Sequence, residues 1–280
     1  MASKNRLIQR IVISIFFMVT LLNMAGVESA QAAAAHPTQV TPAQTYSCIR
    51  PASYETKVHC ANLEEDILAV TVRIEMHAQF YFQGHQKVNV AHSHATILSG
   101  RYLVTHNHFK FSLTETAANG EEGYIAISLR AADGTLILNN VPLSAFTIVH
   151  TDPETLVLEF LNANGNGLFA AKGLPSADFT HWSAVRLHTG VELAQIDWNG
   201  KKAHVDWVRI DELFLDEQVP QVQVNNFARI GCSGGGVFWN GQHIGNNWAR
   251  NIEENSSTGD VTRRYSIIAL NSVVLAKMDQ

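Results

Sequence analysis

The chain has 280 residues, with 25 acidic and 20 basic side chains and a formal net charge of −5 at pH 7. Nucleic-acid binding needs a basic surface, so this charge balance argues against a nucleic acid as partner. The length is sufficient to bury a large core in one sizeable domain or in two small ones.

The N-terminal segment, residues 1–32, has the layout of a secretory signal peptide. Three basic residues precede an uncharged, mostly apolar run from Ile11 to Val27, and Ala30 and Ala32 follow as small residues at which a signal peptidase could cut. The alternative is an uncleaved anchor, for which the run is short. The sequence therefore predicts a secreted or extracytoplasmic protein that meets a membrane only if this segment is retained. Residues 33–47 are interpreted as a linker.

Three cysteines follow in this secreted context. Cys48 and Cys60 are close in sequence, and we expect a disulfide between them. Cys232 would then be the odd cysteine. The alternative, three free and buried thiols, stays open at the level of sequence.

Beyond the linker, the chain consists mostly of short apolar runs separated by turn residues, a pattern typical of antiparallel β-structure. The predicted strands of the first half are Ile67–Ile74, Ala95–Leu98, Arg101–Thr105, Tyr124–Leu129, Thr135–Leu138 and Leu156–Phe160. Those of the second half are Glu192–Trp198, Lys202–Ile210, Val222–Phe227, Val237–Trp239, His243–Ile244 and Arg264–Leu270. Hairpin turns are expected at Ser99-Gly100, Asp133-Gly134, Asn199-Gly200 and Asn240-Gly241.

This order of strands predicts an all-β protein with two antiparallel β-barrels. The turn-rich segment Asn162–Gly167 separates the halves, so we assign the first barrel to residues 48–165 and the second to residues 166–280. A short C-terminal helix is expected over Ser272–Met278.

A serine lies among glycines in the run Gly231-Cys232-Ser233-Gly234-Gly235-Gly236. Glycines let a backbone approach a substrate closely and leave peptide N–H groups free to face an oxyanion. A nucleophilic serine also needs a base and a group that orients the base. Without these partners the run is simply a glycine-rich turn. The chain has 13 histidines as candidate bases.

One of these histidines follows a strand in a way that resembles a known family. Leu103-Val104-Thr105-His106-Asn107-His108 is similar to the segment of trypsin-like, chymotrypsin-fold serine proteases that reads roughly Val-Leu-Thr-Ala-Ala-His-Cys. Aligning the threonines places His108 as the base. The glycine run resembles the family's Gly-Asp-Ser-Gly-Gly-Pro, which places Ser233 as the nucleophile and the N–H groups of Gly231 and Ser233 as oxyanion donors.

The same resemblance implies an acid between base and nucleophile. The family's acid heads a strand patterned Asp-Ile-Ala-Leu-Leu-x-Leu, and Glu154-Thr155-Leu156-Val157-Leu158 matches it best with Glu154 in the acid's position. Asp152 is the alternative acid. Downstream, Asn247-Trp248-Ala249 is similar to the family's Ser-Trp-Gly edge, which binds the substrate peptide.

The resemblance as a whole implies two six-stranded barrels and a serine endopeptidase that acts on peptides or proteins without cofactor or metal. It covers most of residues 60–275 as short matches. One departure concerns Cys232, which replaces the aspartate that in many members pairs with a newly cut N-terminus. That activation mechanism is therefore not expected, which leaves two alternatives: the chain is active as secreted, or the site is held in shape differently, as in bacterial and toxin-type members of the family. The substrate pocket is expected near Phe227, Ala228 and Asn247, with no acidic residue to favour Arg or Lys.

Three other interpretations compete with this one. Gly231-x-Ser233-x-Gly235 also fits the nucleophile elbow of α/β-hydrolases, but the chain lacks alternating strands and helices. His92-x-His94 and His106-x-His108 could bind a metal. A protease fold with a damaged triad could serve as a binding module or adhesin. Oligomeric state cannot be read from the sequence.

Overall fold

The computed structural model describes residues 46–82, 85–107, 124–151, 155–254, 256, 258 and 260–271. The predicted signal peptide, most of the linker and the predicted C-terminal helix lie outside these residues. So do three site candidates, His108, Asp152 and Glu154. All described residues belong to one compact unit, Thr41–Gln280.

The first element is a helix, α1, over Tyr54–Ala69. It begins after Ser53, whose side chain accepts a hydrogen bond from the Thr56 N–H and so caps the helix. Cys60 and Ile67 are the buried residues of this helix. The predicted strand starting at Ile67 is therefore wrong in its first residues, because a short apolar run fits either a buried helical turn or a strand.

Cys60 is also bonded to Cys48, which confirms the predicted disulfide and ties the start of α1 to the preceding segment. Such a bond is typical of proteins that fold in an oxidising compartment. Within the part of the chain that the structure describes, no helix has the length and apolar character needed to cross a membrane.

The first half forms a seven-stranded antiparallel sheet with the order β5-β4-β1-β2-β3-β7-β6. Its strands are β1 Thr71–Phe82, β2 His85–Leu98, β3 Tyr102–His106, β4 Tyr124–Ala131, β5 Leu136–Pro142, β6 Thr147–Thr151 and β7 Thr155–Glu159. The expected hairpins at Ser99-Gly100 and Asp133-Gly134 are confirmed. Because β5 and β6 do not pair with each other, the sheet is a half-barrel.

The prediction of a closed six-stranded first barrel is therefore wrong for the described residues. Its two edge strands are consecutive in the chain and are joined through a 3-10 turn over Leu143–Ala145. Pro142, at the end of β5, has no N–H to donate to a neighbouring strand. Asn140 has a left-handed backbone with φ 48°, which interrupts the extended geometry of β5. These features leave β5 without a regular free edge for β6.

The concave side of the half-barrel is filled by buried apolar side chains. They are Val72, Ile74, Met76, Ala78, Ala95, Ile97, Leu103, Ile127, Leu129, Leu156, Leu158, Phe160 and Phe169. Phe169 comes from a short helix, α2, over Leu168–Ala171, and its ring lies 5.3 Å from that of Phe160. This core keeps the ends of β2, β3 and β7 in fixed positions.

The second half forms the closed six-stranded barrel that was predicted, with the order β10-β13-β12-β11-β8-β9. Its strands are β8 Glu192–Trp198, β9 Ala203–Phe214, β10 Gln221–Val224, β11 Gly236–Trp239, β12 Gln242–Glu254 and β13 Val261–Leu270. The hairpin at Asn240-Gly241 is confirmed, with φ of 49° and 80° at the two turn residues. So is the hairpin through Asn199-Gly200.

The barrel and the half-barrel touch along β11, β12, β2 and β3. The predicted helix at the C-terminus cannot be compared, since residues 272–280 lie outside the description, and the long helix of the described chain precedes the strands instead. The segment Asn225–Gly235, between β10 and β11, contains the glycine run and lies at this contact. We call it the Ser233 loop.

Candidate functional site

Ser233 is partly exposed and is anchored to the half-barrel through its own backbone. Its carbonyl oxygen accepts the His94 N–H at 3.0 Å and the Ser93 hydroxyl at 2.9 Å, both from β2. The next residue, Gly234, donates its N–H to the Asn247 carbonyl in β12 at 2.9 Å. The candidate nucleophile is therefore held between the two halves of the molecule.

Gly234 makes the closest approach of the Ser233 loop to β3. Its φ is +76°, and a Cβ at this position would lie 2.1 Å from Thr105 Oγ1 and 2.8 Å from the His106 nitrogen. Only glycine fits, because a side chain would overlap the strand and strain the backbone. The loop is therefore brought against the end of β3, two residues before His108.

The start of β7 meets the same end of β3. His106 is paired with Thr155 in the β3–β7 register, and Thr151 donates its hydroxyl to Asn107 Oδ1 at 3.0 Å. The chain segments next to the candidate base and the candidate acids thus meet beside the Ser233 loop. The side chains of His108, Asp152 and Glu154 lie outside the described residues, and their roles stay predictions.

Four backbone N–H groups of the Ser233 loop have no acceptor among the described residues, those of Asn226, Ile230, Gly231 and Ser233. Gly231 has φ +100°, a conformation open to glycine. The Gly231 and Ser233 N–H groups are the two donors predicted to hold an oxyanion. A pair of unpaired N–H groups flanking a serine is the arrangement that stabilises negative charge developing on a substrate oxygen.

A pocket of about 180 Å³ adjoins Ser233. Its walls are two segments, residues 228–233 of the Ser233 loop and residues 247–250 of β12. The predicted substrate residues Asn247, Trp248 and Ala249 all line it. Ala228 does so as well, whereas Phe227 packs just outside, under the Arg250 guanidinium at 5.0 Å from the ring centre.

Asn247 ties these walls together. Its N–H donates to the Gly235 carbonyl at 2.9 Å, and its side-chain amide donates to the Ile196 carbonyl at 2.6 Å while accepting from Gln195 at 2.7 Å. Buried polar groups satisfied in this way keep one geometry. Asn247 therefore holds the pocket in shape, and Trp248 and Ala249 form part of its wall.

The pocket is positively charged, which the sequence did not indicate. Arg229 and Arg250 both line it, and none of the described lining residues is a carboxylate. Arg229 lies 3.8 Å from Asp197, but no described carboxylate is within ion-pair distance of Arg250. No local motif marks these arginines, because Arg229 comes from the Ser233 loop and Arg250 from β12.

His94 was predicted only as a possible metal ligand, and the structure gives it another position. It is buried, and its Nδ1 lies 2.7 Å from the Gly231 carbonyl, which can only accept. Nδ1 therefore carries the proton. Burial lowers the pKa of His94 to about 4. Its partner in the proposed metal pair, His92, is exposed and contacts Arg73 instead.

Cys232 is the free cysteine, as expected, and it is buried. Its thiol donates to the Arg229 carbonyl at 2.7 Å. Burial first, and then the charge of Asp197 and a hydrogen bond to it, raise the pKa of Cys232 to about 12. The thiol therefore stays protonated at neutral pH, which leaves Ser233 as the nucleophile candidate of this loop.

One group among the described residues has ligand atoms close enough to hold a metal ion. It consists of Asp197, His204 and Asp206, whose ligand atoms all lie within 4.8 Å of one another. His204 Nε2 lies 3.7 Å from Asp197 and 3.3 Å from Asp206, and Arg229 also faces Asp197. These contacts are equally those of ion pairs.

No protein-family model and no curated protein matches the chain. The resemblance to trypsin-like proteases therefore depends on the short motifs quoted above. A proposal of function for this chain therefore depends on those motifs and on the geometry around Ser233.

Proposed function

We propose that the chain is a secreted serine endopeptidase with a chymotrypsin-like arrangement of its two halves. The closed barrel supplies Ser233, and the half-barrel supplies His108 and the acid, Glu154 or Asp152. The observation that carries the proposal is the pair of unpaired N–H groups of Gly231 and Ser233 at the mouth of a pocket. The Cys48–Cys60 disulfide supports the extracytoplasmic location.

In this mechanism His108 removes the hydroxyl proton of Ser233 as the oxygen attacks a peptide carbonyl. The Gly231 and Ser233 N–H groups stabilise the oxyanion, and His108 returns the proton to the leaving amine. The acid orients His108 and stabilises its charged form. Water then attacks the acyl-enzyme, again with His108 as base, and releases the new carboxyl end.

The substrate class follows from the charge of the pocket. Arg229 and Arg250 line it together with small or apolar side chains such as Ala228 and Ala249. A cationic wall with no carboxylate among the described lining residues disfavours Lys and Arg side chains and attracts Glu or Asp. We therefore propose peptides with an acidic residue next to the cleaved bond as substrates.

A fluorophosphonate probe tests the nucleophile. The wild-type protein should be labelled at Ser233, as mapped by mass spectrometry, and Ser233→Ala and His108→Ala should both abolish labelling. Ser183→Ala, which changes an exposed serine in a 3-10 turn, is the control and should label like the wild type. Glu154→Gln compared with Asp152→Asn identifies the acid, since only the true acid should lower the labelling rate strongly.

The result that would overturn the proposal is a folded wild-type protein that no probe labels, or labelling that persists in Ser233→Ala. Absence of labelling together with peptide binding in the same pocket would favour the binding module instead.

A further inference from the structure

Asp197 is a buried carboxylate in β8 that faces the Ser233 loop. Its side chain is only 4% exposed. An ionised carboxylate in such a place is costly unless its charge is met by donors or cations. The partners of Asp197 therefore indicate what it does.

Arg229 of the Ser233 loop supplies two of these partners. Its N–H donates to Asp197 Oδ1 at 2.9 Å, and its Nε lies 3.8 Å from Oδ2. The Arg229 carbonyl in turn accepts the Cys232 thiol at 2.7 Å. Arg229 and Cys232 stand on either side of Ile230 and Gly231. Asp197 thus holds the loop directly before the predicted oxyanion donor, and the carbonyl of the residue that it holds binds the residue after that donor.

The same stretch is held from the other half of the molecule. His94 donates its Nδ1–H to the Gly231 carbonyl at 2.7 Å. Asp197 fixes Arg229 before the Ile230–Gly231 peptide and His94 fixes the Gly231 carbonyl after it, so the backbone is held on both sides of the peptide that carries the Gly231 N–H. The N–H of Gly231 is therefore kept free of internal bonds and available to a substrate.

We propose that Asp197 is the positioning residue of the Ser233 loop. It supplies from β8 the carboxylate that the family resembled here places directly before its nucleophile. The proposal explains why position 232 is a cysteine, because a carboxylate there would be repelled by the charge of Asp197, whereas the protonated thiol donates to the Arg229 carbonyl. This inference rests on the proposed function for its catalytic consequence, but not for the contacts themselves.

Kinetics test the catalytic consequence. Asp197→Asn keeps the shape and an acceptor for the Arg229 N–H but loses the charge. We expect the rate of fluorophosphonate labelling and kcat to fall about tenfold to a hundredfold, with KM changed less than about threefold, because the donor is misplaced only for the transition state. Asp211→Asn is the matched control, since this carboxylate pairs with Arg263 on the surface. It should leave both constants unchanged.

Alkylation of Cys232 by iodoacetamide tests the contacts without any need for catalysis. In the folded wild-type protein the reaction should be slow, because the thiol is buried and protonated. In Asp197→Asn, checked as folded by its thermal transition, we expect about tenfold faster alkylation at pH 9, and in Asp211→Asn no change.

The two measurements separate the possible failures. If Asp197→Asn alters neither alkylation nor labelling, Asp197 has no positioning role, whatever the protein does. If the wild type is never labelled but Asp197→Asn still exposes Cys232, the contacts stand and the endopeptidase proposal fails.

Discussion

At the scale of single residues, the site depends on polar groups that the neighbouring sequence does not mark. Asp197 lies in β8 and His94 in β2, where Asp197 accepts from the Arg229 N–H and His94 donates to the Gly231 carbonyl. Arg250 reaches the pocket from β12. Their roles arise from where the two halves of the molecule meet.

Arg250 should select acidic substrates. For two peptides that differ only in Glu or Gln before the cleaved bond, we expect kcat/KM of the wild type to be about tenfold higher for Glu, or about 1.4 kcal/mol. Arg250→Gln should bring the ratio close to one because the unpaired cation is lost. Arg130→Gln, whose guanidinium pairs with Glu75, is the control.

Added salt should also weaken the preference, since the arginine is exposed. An equal preference for Gln in the wild type would disprove the acidic specificity and leave the nucleophile assignment untouched.

At the scale of elements, the important contact is that of the Ser233 loop with the end of β3. The loop follows a four-residue strand, β10, and its path is set by hydrogen bonds to β2 and β12. The closed barrel determines where the loop begins and ends. The half-barrel fixes the position of Ser233 within the loop through the hydrogen bonds from β2.

Gly234→Ala should abolish labelling of Ser233 and destabilise the fold by a few kcal/mol. The added Cβ would lie 2.1 Å from Thr105 Oγ1, so the loop must move away from β3. Gly165→Ala is a matched control, because Gly165 has almost the same φ, +77°, but nothing within 4 Å of an added Cβ. Gly165→Ala should lower the free energy of unfolding only by the backbone strain, and Ser233 should still be labelled fully.

Thermal unfolding and probe labelling measure both effects. Equal behaviour of the two variants would show that close contact with β3 is not what places Ser233.

At the scale of the whole molecule, the two halves are joined by buried polar groups as well as by apolar packing. His94 is one of them. His243 is a second buried histidine, on β12 of the closed barrel, with Nε2 facing Asn246 Oδ1 at 3.2 Å and Nδ1 facing the Asn271 amide at 3.1 Å. Both rings are neutral in the folded protein, since burial lowers the pKa of each to about 4.

Stability should therefore decrease as the pH falls from about 6.5 toward 4. The unfolded histidines, with pKa near 6.5, bind protons in this window while the folded ones do not. The contribution of the two histidines to the free energy of unfolding is fully present above pH 6.5. When the pH falls from 7 to 5, each histidine should lower that free energy by on the order of 2 kcal/mol. Thermal unfolding at several pH values measures the slope.

A direct check is the NMR titration of the imidazole signals. His94 and His243 should stay neutral at pH 5, whereas the exposed His188 should serve as an internal reference. Protonation of both buried rings above pH 6 would contradict the expected loss of stability at acidic pH.

What the sequence determined by itself was local. The turns at Ser99-Gly100 and Asn240-Gly241 require left-handed backbone, and the residues there adopt it. Strands and the Cys48–Cys60 disulfide were also predicted, because residues close together in the sequence determine them. The glycine run around Ser233 is read directly from the sequence. The tertiary structure alone decided that α1 continues through Ile67, that the first sheet stays open, and that Asp197 accepts from the Arg229 N–H. These features depend on strand register and on contacts between residues far apart in the chain, and no short pattern records such contacts.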